Sequence, residues 1–294
     1  MPNNHSSPVT RMAGSVAELR LAAQTARAAG KSIGVVPTMG ALHAGHLSLV
    51  EASRRECGFT VVTIFVNPLQ FAQGEDLDQY PREQEEDLRK LAGAGADLAF
   101  TPADEDVYPE GFSTFVEVTG LTNVLEGRTR PEHFRGVTTI VLKLFNMVQP
   151  DVAYFGQKDF QQARVIRRMA LDLNVPIEIR MQPIIRDADG LALSSRNAYL
   201  SADQRRQGLA LSGSLRAATQ MFATGETNAA AILDCMREVF QAVPEIEMDY
   251  LALVDPDSLL AVSEVDADVV ALVAAKVGDV RLIDNARLGD AFPS

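Results

Sequence analysis

The sequence predicts an α/β protein in which a doubly wound parallel sheet is followed by a smaller α+β C-terminal domain. Three observations carry that expectation. Short apolar strands alternate with helical segments up to about residue 184, one of those strands shows no polar alternation, and the pattern changes after Pro183.

The elements follow in order. Ser15-Val-Ala-Glu18 reads as a capping box, the serine oxygen taking the amide of Glu18 and the glutamate reaching back. The helix behind it has Val16, Leu19, Ala23 and Ala26 on its apolar face, and Gly30 ends it. Ile33-Gly-Val-Val36 is a strand stopped by Pro37, and past the turn Thr38-Met-Gly40 a second helix spans about 45–57. Residues 60–66 read as a strand buried on both faces and ended by Asn67-Pro68, which places it centrally in a parallel sheet. A charged helix at about 81–91, a strand at 98–101, a helix at about 136–147, a strand at 152–155, a helix at about 160–173 and a strand at 177–181 continue the alternation. Such βαβ units take right-handed crossovers, and ligands of the resulting sheet sit at the carboxyl ends of its strands. After Pro183 come a turn at 186–190, an extended piece at 191–197 and helices at about 202–222 and 228–241. Segments 248–254, 268–276 and 280–283 then predict a small antiparallel sheet. The boundary is placed near Ile184, giving domains 1–184 and 185–294, with residues 1–13 expected as a loose tail.

Composition narrows the function. A chain of 294 residues, 47% of them hydrophobic, can bury one large or two medium cores, which excludes a mini-protein or peptide hormone. Lys+Arg 27 against Asp+Glu 39 gives a net charge of −12, which repels phosphodiester backbone and anionic lipid, so neither nucleic acid nor membrane is an expected partner. Two cysteines, Cys57 and Cys235, lie too far apart in sequence to suggest a disulfide scaffold or a cysteine zinc site. The polar start lacks the apolar stretch of a signal peptide, and no run of about 18 apolar residues occurs, so a cytoplasmic setting is expected.

Two of the four histidines fall in His43-Ala-Gly-His46, directly after a strand and at the head of a helix. A helix N-terminus offers amides and partial positive charge, glycine lets a phosphate approach, and two imidazoles can donate to phosphoryl oxygens. Taken singly each histidine would read as an ordinary surface or packed residue, and it is the pair in this turn that points to nucleotide chemistry. Zinc fits less well, because the spacing is not the i, i+4 of helical ligands and no third ligand is evident. The G-x-G-x-x-G and G-x-x-x-x-G-K-[ST] signatures are both missing, so a dinucleotide dehydrogenase and a P-loop enzyme lose ground.

The segment Pro37-Thr-Met-Gly-Ala-Leu-His-Ala-Gly-His46 resembles the ATP-binding segment of pantothenate synthetases, members of the nucleotidyltransferase superfamily that shares the H-x-G-H of class I aminoacyl-tRNA synthetases. Phe65-Val-Asn-Pro-Leu-Gln-Phe71, Arg130-Pro-Glu-His-Phe-Arg-Gly136, Phe155-Gly-Gln-Lys-Asp-Phe-Gln-Gln162, Leu193-Ser-Ser-Arg-Asn197 and Leu282-Ile-Asp-Asn285 agree as well, so the match spans almost the whole chain. The resemblance implies a Rossmann-like domain with a smaller C-terminal domain, usually as a homodimer. It also implies ligation of pantoate to β-alanine in pantothenate and coenzyme A biosynthesis. ATP is then cleaved to AMP and pyrophosphate through a pantoyl-adenylate.

The roles it implies follow the motifs. His43 and His46 hold the triphosphate, with His46 as proton donor. Met39, Gly40, Ala41, Leu42, Ala44 and Gly45 complete that ATP segment, and Pro37 and Thr38 border the acid substrate. Lys158 adds a compact cation, while Ser194, Ser195 and Arg196 add hydroxyls and a forked guanidinium, preceded by Leu193. Alone, Lys158 would read as a solvated surface lysine; its place just past strand 152–155, beside Gly156, reverses that. Gln70 and Gln162 grip pantoate by amide groups that do not compete for its charge, and Asn67 ends its strand toward the same ligand. Asp159 is assigned to the ribose, and Gly156, Gln157 and Ile185 to the nucleotide pocket. In the acidic run 83–87, more often a solvated helix face, Asp87 is a candidate to meet the Mg²⁺ that accompanies ATP. Two positions depart from the family pattern: Glu132 stands where glycine is common, and Gln157 where glutamate is frequent.

Three other readings remain at this stage. A nucleotidyltransferase would retain a nucleotide adduct rather than release AMP. A tRNA-charging or RNA-binding module is opposed by the charge of −12 and the absence of a basic stripe. A non-catalytic binder would not need Lys158, two histidines and Ser-Ser-Arg.

Overall fold

The computed structural model describes residues 10–72 and 74–292. The chain divides into two compact units, Met1–Gly156 with Gln162–Gln182, and Gln157–Gln161 with Pro183–Ser294. The first unit runs β1 (Arg11–Ala13), α1 (Val16–Ala28), β2 (Ile33–Thr38), α2 (Ala44–Glu56), β3 (Phe59–Ile64), α3 (Gln84–Ala94), β4 (Leu98–Phe100), α4 (Asp104–Val107), α5 (Glu126–Thr129), α6 (His133–Val148), β5 (Val152–Gly156), α7 (Phe160–Asp172) and β6 (Glu178–Gln182). Its strands are all parallel, in the order β1-β4-β3-β2-β5-β6.

Helices cover both faces of this sheet because neighbouring residues of each strand point opposite ways. Val35, Val61, Phe100 and Ala153 join one core with Leu19 of α1, Ile140 of α6 and Ile166 of α7. Val36, Val62, Ala99 and Tyr154 join another with Leu49 of α2 and Leu91 of α3. The strands therefore read as unbroken apolar runs, and each large side chain so buried contributes about 1.5–3 kcal/mol. The capping box of α1 forms as expected: Ser15 Oγ accepts from the Glu18 amide at 3.3 Å, and Glu18 Oε2 accepts from the Ser15 amide at 3.2 Å.

From β2 the chain moves outward to β3 and β4 on one side and later returns to β5 on the other. The strand order reverses at that pair, which is where a doubly wound sheet leaves a crevice at its carboxyl edge. The loop leaving β2 begins with Met39, and the loop leaving β5 with Gln157.

The second unit contains α8 (Ala202–Ala223), α9 (Ala229–Gln241) and the antiparallel sheet β7-β8-β9 (Ile246–Val254, Val270–Val277, Val280–Arg287). Leu215 of α8 and Ile232 and Met236 of α9 pack with Ala271, Val273 and Ala275 of β8.

Two expectations need correction. Residues 1–9 of the expected loose tail lie outside the described residues, but Arg11–Ala13 is no tail: it pairs in parallel with Leu98–Phe100 as the edge strand β1. Three residues are too few to show an alternation, and their partner is remote in sequence. The expected extended piece at 191–197 is extended only at its start, because Ser195–Tyr199 winds into a 3-10 turn whose N-cap is Ser194.

Candidate active site

The turn between β2 and α2 is shaped from outside itself. Asp87, on α3 and 1% exposed, accepts from the Ala41 amide at 2.9 Å through Oδ2 and from the Leu42 amide at 2.7 Å through Oδ1. Lys90, one turn further along α3, donates to the Leu42 carbonyl at 2.8 Å. The turn has φ of +84° at Gly40, where a Cβ would stand 3.0 Å from Asp87 Oδ2, so glycine is required. Ala41 follows at φ +51°, a costly conformation for alanine that the two amide bonds hold in place. Burial raises the Asp87 carboxyl above its ordinary value, against the two amides and Lys90, which favour the anion.

The histidines then cap α2 together. His43 Nδ1 accepts from the Gly45 amide at 3.1 Å, and His46 Nδ1 accepts from the His43 amide at 3.4 Å, with the rings 4.0 Å apart. A neutral imidazole accepting at Nδ1 carries its proton on Nε2, so both rings offer an N–H donor from that nitrogen. From the sequence, the amides of this turn and the two imidazoles are both expected to meet phosphate. The structure commits the amides of Ala41, Leu42, His43 and Gly45 internally. Leu42 is a core residue at 2% exposure, and the Thr38 hydroxyl donates to the Thr63 carbonyl at 2.6 Å, leaving no proton for a ligand.

A second anchored turn follows β3. Asn67, also 1% exposed, donates from Nδ2 to Gln70 Oε1 (3.0 Å) and to the Gly136 carbonyl (3.2 Å), and its Oδ1 accepts from Tyr108 (2.7 Å) and from the Leu69 amide (3.4 Å). It is therefore a bracket for Gln70 rather than a substrate contact, which corrects the sequence assignment. The Gln70 carbonyl accepts from Arg130 Nη2 at 3.2 Å and from His133 Nδ1 at 2.9 Å, and Arg130 is itself forked onto Glu75 at 2.6 Å. Gly136 admits this contact, since a Cβ there would lie 2.1 Å from the Leu69 carbonyl oxygen. The Gln70 side chain is completed by an Nε2 contact with Met39 Sδ at 3.0 Å. Gln162, in the first turn of α7, is half-buried.

In the second unit, Gln157–Asp159 forms a short 3-10 turn, with Lys158 Nζ 3.4 Å from Asp159 Oδ1. Ser194 Oγ accepts from the Arg196 amide at 3.3 Å. The Ile185 carbonyl accepts from the Leu193 amide at 2.9 Å, so the backbone contact assigned to Ile185 has a competing partner. Three ion pairs made by two arginines pin the preceding loop: Arg186 is forked onto Asp284 at 2.6 and 3.0 Å, and Arg205 bridges Asp187 and Asp189.

The sequence profile of pantoate-beta-alanine ligases matches residues 11–287. This chain belongs to the pantoate-beta-alanine ligase family. The pantothenate synthetase of Moorella thermoacetica is 51% identical over 273 residues, which are 93% of this chain and 96% of that protein. The crystal structure of pantothenate synthetase from Thermus thermophilus superposes with a TM-score of 0.91 at 48% identity, covering 95% of this chain and 99% of that one. That of pantoate-beta-alanine ligase from Francisella tularensis, complexed with beta-gamma ATP and beta-alanine, does so at 0.78 and 28% identity, covering 97% and 100%.

For a pantoate-beta-alanine ligase, the structure redistributes some assignments read from sequence. Asp87 fits a magnesium contact poorly, because it is 1% exposed and each carboxylate oxygen already accepts from a backbone amide. Among the described residues no group of three or more histidine, cysteine, aspartate or glutamate side chains is gathered as a metal site. His133 and Arg130 have no role legible in the sequence beyond their place in a motif; the available signal is two basic side chains at i, i+3 heading a helix.

Replacing Asp87 with alanine should strand two amides at about 1–3 kcal/mol each and slow adenylate formation, leaving the magnesium dependence unchanged. Urea unfolding with a magnesium titration checks this, and a shifted magnesium requirement would contradict it. Burial pushes the His133 imidazole down to about 4, so the folded protein declines a proton that the unfolded chain takes near the ordinary value of 6.5. Stability should accordingly fall as pH drops from about 6.5 toward 4. In His133→Gln that share of the slope should vanish; equal slopes for both proteins in urea titrations at several pH values would refute the assignment.

Proposed function

We propose that this pantoate-beta-alanine ligase makes pantothenate in two half-reactions on ATP. In the first, a carboxylate oxygen of pantoate attacks the α-phosphorus, the bond to the β-phosphate breaks and pyrophosphate leaves. In the second, the amine of β-alanine attacks the acyl carbon of the pantoyl-adenylate, the bond to AMP breaks and the amine proton is released. Hydroxide is too poor a leaving group for a direct condensation, and the adenylate replaces it.

The observation that carries this reading is the pair of imidazoles locked with Nδ1 as acceptor, each therefore a Nε2 donor. Negative charge grows on the phosphates as the carboxylate attacks. Donors already oriented toward that charge stabilise the transition state without reorganising. His43 and His46 supply such donors, with His46 giving a proton to the departing pyrophosphate. Lys158, Ser194, Ser195 and Arg196 supply further positive charge and hydroxyls to the same nucleotide, and Asp159 meets its ribose. Met39, Gly40, Ala44, Gly45, Gly156 and Gln157 belong to the two loops that carry these groups. Gln70, held by its brackets, and Gln162 bind pantoate through neutral amides, and Pro37 ends the strand beside them. Mg²⁺ arrives with ATP, since phosphates and water supply most of its six ligands.

A cytoplasmic setting is supported by two free cysteines. Among the described residues no helix is long and apolar enough to cross a membrane. The family resemblance carries a homodimer, which sedimentation equilibrium measures.

With pantoate present and β-alanine absent, the protein should exchange labelled pyrophosphate into ATP; a requirement for β-alanine would exclude the adenylate route. His46→Ala and Lys158→Ala should each slow single-turnover adenylation by about 10²–10³ while unfolding cooperatively. By contrast, Gln70→Ala and Gln162→Ala should raise the pantoate requirement by roughly ten- to a hundredfold, the equivalent of about 1–3 kcal/mol, with ATP affinity nearly unchanged in calorimetric titration. The reverse pattern would mean that acid and nucleotide roles are interchanged.

A further inference from the structure

Lys158 sits in a single 3-10 turn immediately after Gly156 and has little secondary structure of its own to fix it. Its backbone is held from β9. Asn285, 1% exposed, donates from Nδ2 to two consecutive carbonyls, those of Gln157 and Lys158, each at 2.9 Å. Its Oδ1 faces Gln157 Nε2 at 3.5 Å. One rigid amide bonded to both carbonyls fixes the peptide planes on either side of the Lys158 Cα, and with them the direction in which that side chain departs.

Asn285 is itself oriented by a buried ion pair. Its backbone N–H donates to Asp284 Oδ1 at 2.8 Å, and Asp284 accepts both arms of Arg186. The two side chains of that pair are 2% and 7% exposed, and the Arg186 guanidinium lies 4.7 Å from the centre of the Phe292 ring. Arg186 also donates to the Gly190 carbonyl at 3.2 Å. A bidentate arginine–carboxylate pair has one geometry, so it transmits a fixed direction to the residue bonded beside it.

We propose that Asn285, oriented by the Asp284–Arg186 pair, is a positioning residue for Lys158, setting the direction of its ammonium for adenylation. The inference rests on the reading that Lys158 acts on ATP. A purely structural asparagine would satisfy two carbonyls and alter stability alone. A positioning residue alters the rate only while Lys158 is present to be aimed, and a displacement of about 1 Å is enough to cost up to a hundredfold.

Pyrophosphate exchange, with pantoate and without β-alanine, should be measured for the full chain, Asn285→Ala, Lys158→Ala and the double variant. Asn285→Ala should slow kcat by ten- to a hundredfold with the KM for pantoate within twofold of the parent, and in the Lys158→Ala background it should cost less than twofold. If its full loss persists in that background, or if the parent rate survives in Asn285→Ala, the positioning role is wrong although Lys158 remains catalytic. If Lys158→Ala alone keeps the parent rate, the reading of Lys158 fails and this inference with it. Should Asn285→Ala not unfold cooperatively, Asn285→Ser, which retains one donor, takes its place in the same cycle with the same criteria.

Discussion

A loop that leaves the carboxyl edge of a parallel sheet loses the ladder that paired its backbone, yet its amides and carbonyls remain partly buried and need partners. In this protein most of the partners are buried or half-buried side chains from elsewhere in the chain. Asp87 serves the turn after β2, Asn67 with Arg130 and His133 serves the turn after β3, and Asn285 serves the turn after β5. Each of these turns carries side chains assigned to the reaction. The backbone requirement and the chemical requirement are met together, because a turn with every polar group paired has few alternative conformations.

The choice of partner follows the group that needs one. Two amides pointing the same way call for a carboxylate, which accepts at both oxygens, and Asp87 supplies it. Carbonyls call for donors, and Arg130, His133 and the Asn285 amide supply them. Low local polarity strengthens each bond and raises the cost of losing it. Burial, together with the charge of the nearby Arg130 guanidinium, depresses the His133 imidazole and outweighs its bond to the Gln70 carbonyl, which favours the protonated ring.

Much of this was legible in the sequence where the signal is local. The capping box at Ser15 and Glu18, the continuous apolar strands and the H-x-G-H at a helix head all depend on residues a few positions apart, and their elements appear within a few residues of the expected bounds. What escaped depends on distant partners. Arg11–Ala13 becomes a strand only because Leu98–Phe100 lies beside it. Asp87 looked like a solvated acid or a magnesium contact, since nothing around it announces two amides 45 and 46 positions away. Asn67 looked like a ligand because it ends a strand at the correct edge, and sequence cannot distinguish a side chain that meets the ligand from one that holds its neighbour. Asn285 was visible only as part of a motif, 127 positions from Lys158.

In the proposed mechanism the paired imidazoles, the bracketed Gln70 and Lys158 serve one event, attack of a carboxylate oxygen on the α-phosphorus. That event leaves an atomic record, because the attacking oxygen stays on phosphorus when the amide forms. Pantoate labelled with ¹⁸O in its carboxylate should be turned over with unlabelled ATP and β-alanine in ordinary water, and the AMP analysed by mass spectrometry. The account predicts one ¹⁸O in each AMP formed and none in pyrophosphate. AMP free of label, with the ligation product still forming, would contradict it.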